Sequence, residues 1–80
     1  MDTKQAIANR IIQLCDEHKI AVNELASRAG VSPSTVYSIL DERSQNPGTV
    51  TIKKLCDGID ITLGEFFSTA EFDALEQEIK

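Results

Sequence analysis

The segment that most restricts the fold is residues 23–40, NELASRAGVSPSTVYSIL. Leu25, Ala26 and Ala29 fall on one face of a short helix. Gly30 follows where a chain leaving a helix needs a left-handed residue, which glycine adopts without strain. Val31 is apolar and plugs the corner. Ser32 and Pro33 restart the chain as helix, the serine capping free amides and the proline taking a first position where its missing N–H costs nothing. Val36, Ile39 and Leu40 then form the buried stripe of a second helix. Two short helices joined through one glycine at this spacing make a helix-turn-helix over about residues 22–41. The opposite face of its second helix is polar and built of small residues, Ser34, Thr35, Tyr37, Ser38 and Asp41. Nothing requires that face to be buried, so it is available to a ligand.

The flanking sequence reads as further short helices. Asp2 and Gln5 can form a capping box, and Ile7, Ile11, Leu14, Cys15 and His18 then mark one buried face of a first helix. Lys4, Gln5, Arg10, Gln13, Asp16 and Glu17 are expected in water. Beyond the motif, residues 42–48 are loop by composition. Thr49 and Thr51 are candidate caps for a fourth helix. Thr51 is favoured, because Ile52, Leu55, Cys56 and Ile59 then align and Lys53 and Lys54 fall in the first turn. Thr62 with Glu65 starts a short fifth helix whose Phe66 and Phe67 close the core against the first. Ser68 with Glu71 starts a last helix over about 69–79, with Phe72, Leu75 and Ile79 on one side and Asp73, Glu76, Gln77 and Glu78 on the other. That stripe suits either a sixth helix folded onto the domain or a dimer contact. The expected fold is all-α, a compact bundle of five or six short helices in one domain, residues 1–80.

A chain of 80 residues buries only a small core and is marginal unless its helices pack well or it dimerises. No apolar run is long enough to span a membrane and residues 1–3 have no secretory character, so the expected location is the cytoplasm, with no membrane partner. Cys15 and Cys56 lack CxxC spacing. They read as buried free thiols, with a thiol switch as the alternative. His18 stands alone, without a second metal ligand or a nucleophile. No phosphate-binding glycine loop, metal motif or nucleophile–base pair is present, so neither enzyme activity nor a cofactor is expected.

The net charge of −5 argues against indiscriminate binding to a polyanion. Its distribution is uneven. Residues 28–54 carry four basic and two acidic side chains, a net of +2. Residues 55–80 carry one basic and seven acidic, a net of −6. A local phosphate-binding face is therefore compatible with the total.

Glu24-Leu25-Ala26, Gly30-Val31-Ser32, Ser34-Thr35-Val36 and Ile39 resemble the helix-turn-helix of the phage lambda repressor and Cro, the Xre-like class of bacterial and phage regulators. The resemblance runs from about residue 11 to residue 67, through Pro47, Thr51-Ile52-Lys53-Lys54-Leu55 and Thr62-Leu63-Gly64-Glu65-Phe66-Phe67. It implies a lambda-repressor-like domain that binds double-stranded DNA with sequence preference as a transcriptional regulator, a repressor, with residues 33–41 entering the major groove. By position, Pro33, Ser34, Thr35, Tyr37 and Ser38 would face the bases. Arg28, Arg43, Ser44, Gln45, Asn46, Lys53 and Lys54 would lie near phosphates. Arg28 reads equally as a solvated charge, and the lysine pair as a solvated basic turn. Cations are disfavoured at a helix N-terminus unless a polyanion is near, which favours a DNA role for the pair. Val22 and Pro33 stand where some relatives carry glutamines that contact phosphate and base. A homodimer on a two-fold site is expected, with Phe72, Leu75 and Ile79 as the candidate contact. The alternative is a protein-interaction module of antitoxin or anti-repressor type, its acidic tail binding a protein partner.

Overall fold

A computed structural model describes residues 2–41 and 46–79. Six helices follow one another: α1 (Thr3–His18), α2 (Val22–Ala29), α3 (Pro33–Leu40), α4 (Thr49–Gly58), α5 (Leu63–Phe67) and α6 (Ala70–Asp73), with no strand among the described residues. The fold is all-α.

One apolar cluster joins every helix down to α5: Ile7, Ile11, Leu14 and Cys15 from α1, Leu25 and Ala26 from α2, Val36 and Ile39 from α3, Ile52, Leu55 and Cys56 from α4 with Ile59 just after it, and Phe66 from α5. No described polar or charged side chain is buried in it. The helix α2 lies against both α3 and α4, and α1 closes over α3. Val22 is half-buried against this cluster, which accounts for an apolar residue at the start of α2.

Local chemistry sets most of the boundaries. Asp2 accepts the Gln5 amide at 2.8 Å, but the Gln5 side chain turns to Asn9 instead of returning to the cap, so only half of the expected capping box forms. Thr62 and Glu65 form a complete one. Three expectations are corrected. The helix α4 begins at Thr49 behind Gly48, two residues before the threonine cap expected at Thr51, so Lys53 and Lys54 fall in its second turn. Thr69, not Ser68, caps α6 by accepting the Phe72 amide, and α6 ends at Asp73 instead of continuing to residue 79. His18 is exposed at the end of α1 and is not part of its buried face.

Two basic residues expected in water are tethers. Arg10 donates through Nε to the Phe66 carbonyl at 2.8 Å and through Nη2 to the Glu65 carbonyl at 2.9 Å, closing the C-terminal end of α5. Lys4 donates to the carbonyls of Ile39 at 3.2 Å and Asp41 at 2.5 Å, where α3 ends. The acidic tail returns to the start of α1, where Glu78 Oε2 accepts from the Thr3 hydroxyl at 2.7 Å and the Thr3 amide at 3.3 Å. Negative charge there complements the positive end of the helix.

Candidate nucleic-acid interface

The corner between α2 and α3 is built as its residues dictate. Gly30 has φ of +71°, and the Val31 amide reaches back to the Ala26 carbonyl at 3.1 Å, closing the last turn of α2. Ser32 then accepts the Thr35 amide, and Pro33 occupies the first turn of α3. Ser32 Oγ also lies 3.1 Å from Ser34 Oγ and 2.9 Å from Thr35 Oγ1, so three hydroxyls share one network at the tip.

From this start α3 presents two unlike faces. Val36 and Ile39 are buried beneath it. Pro33, Ser34, Tyr37 and Ser38 are exposed, Tyr37 to 51%, and Thr35 is half-buried with its hydroxyl turned toward Ser32. Four of the five residues expected to face bases therefore stand in solvent on the outer side of one firmly backed helix, and Thr35 does so only in part. Beside them runs a groove lined by Thr35, Ser38, Ile39, Asn46, Pro47, Gly48 and Thr51, between α3 and the start of α4.

Two helix starts differ from the others, and one of them, that of α4, borders this groove. Side-chain oxygens of Asp2, Ser32, Thr62 and Thr69 cap α1, α3, α5 and α6, whereas α2 and α4 begin behind Ala21 and Gly48 with no side-chain cap. Uncapped first-turn amides attract anions, because their N–H groups lack partners and the helix dipole is positive there.

The basic residues are less concentrated than the sequence suggests. Arg28 is held by Glu24 at 2.6 Å, one turn back on the exposed side of α2. Lys53 is paired with Asp57 along α4, and Lys54 is exposed beside it. With both lysines in the second turn of α4, the end-of-helix repulsion that would have favoured a polyanion is largely gone, since that effect fades within one turn. Asn46 is exposed in the groove. Arg43, Ser44 and Gln45 lie outside the described residues. Lys4 is the basic residue that sequence reasoning placed elsewhere, and its ammonium group reaches the end of α3 from 37 residues away.

The remaining groups offer little chemistry. Cys15 and Cys56 are buried free thiols, and burial pushes both up from the ordinary thiol value, with Asp16 and Asp57 adding to it. At Cys56, Lys53 and Arg10 act in the opposite sense. No cluster of three metal-ligating side chains occurs among the described residues. No helix among the described residues is long and apolar enough to cross a membrane. Of the candidate dimer residues, Phe72 packs within its own domain, its ring edge-to-face with that of Phe67 at 5.0 Å and 6.1 Å from that of Phe66. Leu75 is half-buried and Ile79 is 86% exposed.

Comparison with known proteins fits this geometry. A family model of the Cro/C1-type helix-turn-helix DNA-binding domain matches residues 10–71. No curated protein matches the chain. The crystal structure of the prophage Lp1 protein 11 is similar, with a TM-score of 0.82 and 26% sequence identity, over 94% of this chain and 100% of that one.

Proposed function

Because this chain belongs to the Cro/C1-type helix-turn-helix family of DNA-binding domains, a family of binding folds and not of enzymes, we propose that it is a transcriptional regulator whose α3 enters the major groove of duplex DNA. The observation that carries the reading is the outer face of α3. A capped, firmly backed helix leaves Pro33, Ser34, Tyr37 and Ser38 in solvent, at the tip of a corner built by Gly30 and Ser32.

In this reading the bases meet Pro33, Ser34, Thr35, Tyr37 and Ser38. Hydroxyls of serine and threonine donate to or accept from base edges, and the Thr35 methyl suits a thymine methyl. None supplies the bidentate pairing that an arginine gives to guanine or a glutamine to adenine, so discrimination at single bases is modest and DNA shape contributes. Phosphates fall to the open first turns of α2 and α4, to Arg28, Asn46, Lys53 and Lys54, and to Arg43, Ser44 and Gln45 after α3. One such domain covers too little DNA for tight selective binding, so two copies act on a two-fold site. Leu75 and Ile79 provide the contact between copies, with Phe72 supporting them from within its own domain. A dimer on a site that overlaps a promoter represses by occupancy.

The alternative, a protein-interaction module that binds a partner through its acidic tail, is favoured by one feature: Arg28 and Lys53 are already engaged by carboxylates. Selection from a pool of random duplexes at low and moderate salt, followed by sequencing, separates the two. The regulator reading expects an enriched two-fold motif that is lost on Tyr37→Ala. No enrichment, with no binding even at low salt, sinks it and directs attention to the tail.

A further inference from the structure

We propose that Lys4 is a positioning residue for duplex recognition, reaching from α1 to cap the C-terminal end of the recognition helix with its ammonium group. The inference rests on the DNA-binding reading of α3 for its functional half, while its structural half stands by itself.

The sequence at the end of α3 leaves a capping problem. The last four carbonyls of a helix have no partner within it. Many helices resolve this with a left-handed residue, usually glycine, and basic side chains near the end can also bond the last carbonyls. The corner after α2 uses the glycine, and α1 uses Lys19 at φ of 56°. At the end of α3 stands Asp41, in extended conformation at φ −80° and ψ 123°, and the last turn contains no basic residue. The Asp41 amide bonds back to the Tyr37 and Ser38 carbonyls. The Ile39 carbonyl, next in line, accepts from Lys4 Nζ, and so does the Asp41 carbonyl, the last before residues 42–45.

Both bonds are charge-assisted and part-buried, where an ion–dipole interaction is stronger than in water. The positive charge also meets the negative end of the α3 dipole. Lys4 also lines a surface pocket together with Asn46 and Pro47, which lead into α4. One ammonium group therefore holds the C-terminal end of the recognition helix. Arg10 does the equivalent for α5.

The test uses Lys4→Met, which removes the donors and keeps the length, and Lys4→Arg, which restores them. Amide hydrogen exchange is followed on both and on the wild type. Loss of the cap lowers protection at Leu40 and Asp41 by about tenfold in Lys4→Met and leaves α2 and α4 protected, and Lys4→Arg recovers it. Unchanged protection at the end of α3 overturns the proposal, whether or not the protein binds DNA. Should Lys4→Met fail to fold, Lys4→Gln, which can still satisfy one carbonyl, is expected to give an intermediate loss confined to the same amides; a uniform loss overturns the proposal. Affinity per folded molecule is then measured on the duplex enriched from the random pool and on an unrelated duplex. About tenfold weaker binding to the enriched duplex, little change on the other and an unchanged salt slope support positioning. Equal loss on both duplexes, with the salt slope reduced by about one, makes Lys4 a phosphate ligand and overturns positioning. If the wild type enriches no duplex, the regulator reading falls, and the exchange arm alone decides whether Lys4 caps α3.

Discussion

Replacing Gly58 by alanine tests whether the pairing of α2 with α4 is as rigid as its geometry implies. Gly58 is the last residue of α4, and a methyl group there would stand 2.9 Å from the Ala29 nitrogen, 3.1 Å from the Arg28 carbonyl carbon and 3.2 Å from the Ala29 Cα. All three are backbone atoms at the end of α2, so no side chain can rotate away and the helices must separate. Overpacking of this kind costs about 1–3 kcal/mol. Alanine regains at most about 1 kcal/mol of helix propensity, and less at a helix end. The net expectation is a loss of about 1–2 kcal/mol, which in a domain of this size lowers the thermal midpoint by roughly 5–15 °C. Urea and thermal unfolding followed by circular dichroism measure it. Gly64→Ala is the control, because its new methyl would meet only the Thr62 hydroxyl at 3.7 Å, inside α5. That variant should be neutral or more stable. If Gly58→Ala matches or exceeds the wild type alongside it, the two helix ends relax freely and the close approach does not constrain the fold.

Four further outcomes follow from the same geometry. Ser32→Ala removes the cap of α3 and should cost about 1 kcal/mol in urea unfolding, with Ser32→Asp recovering most of it. Neither thiol should react with a disulfide reagent in the native protein near neutral pH, because both are buried and their ionisation is pushed up. The unfolded chain then ionises its thiols at lower pH than the folded one, so unfolding measured against pH should show stability falling as pH rises through the ordinary value of 9.0. Glu24→Gln and Asp57→Asn together release Arg28 and Lys53 and should strengthen duplex binding severalfold at low salt, read by titration; unchanged binding would remove both cations from the interface.

What the sequence discloses is what local chemistry decides. The corner at Gly30, the Ser32 cap with Pro33 behind it and the Thr62–Glu65 box each depend on residues a few positions apart, and each forms as read. The start of α4 was harder to read. Gly48 provides no cap oxygen, and Thr49, a candidate cap by sequence, is instead the first helical residue, with Val50 70% exposed behind it. The apolar spacing of Phe72, Leu75 and Ile79 suggests a longer last helix than exists. Continuing it would place Glu76 and Glu78 at a C-terminal end, where negative charge is unfavourable. Glu78 instead binds Thr3 at the opposite end of the chain, beside a positive helix terminus. Pairings such as Lys4 with Ile39 and Arg10 with Phe66 join residues 35 and 56 positions apart, and periodicity has no access to them.

These assignments change the meaning of the net charge. Lys4 and Arg10 are occupied with helix carbonyls, so the cations available to a polyanion are fewer than a count of basic residues suggests. Arg28 and Lys53 are different, because their partners sit one turn away on open helix surfaces and both members of each pair are about half exposed. Exposed pairs of this kind contribute at most about 1 kcal/mol. A phosphate oxygen approaching either cation can therefore displace the carboxylate at little cost, whereas it could not displace the carbonyls that hold Lys4 without releasing the end of α3. Displacement leaves the freed carboxylate near the DNA, so each such contact gains less than a lone cation would. The expected result is weak binding to arbitrary duplex and a shallow salt dependence. In the proposed regulator, selectivity then has to come from the fit of α3 and from the spacing of two copies.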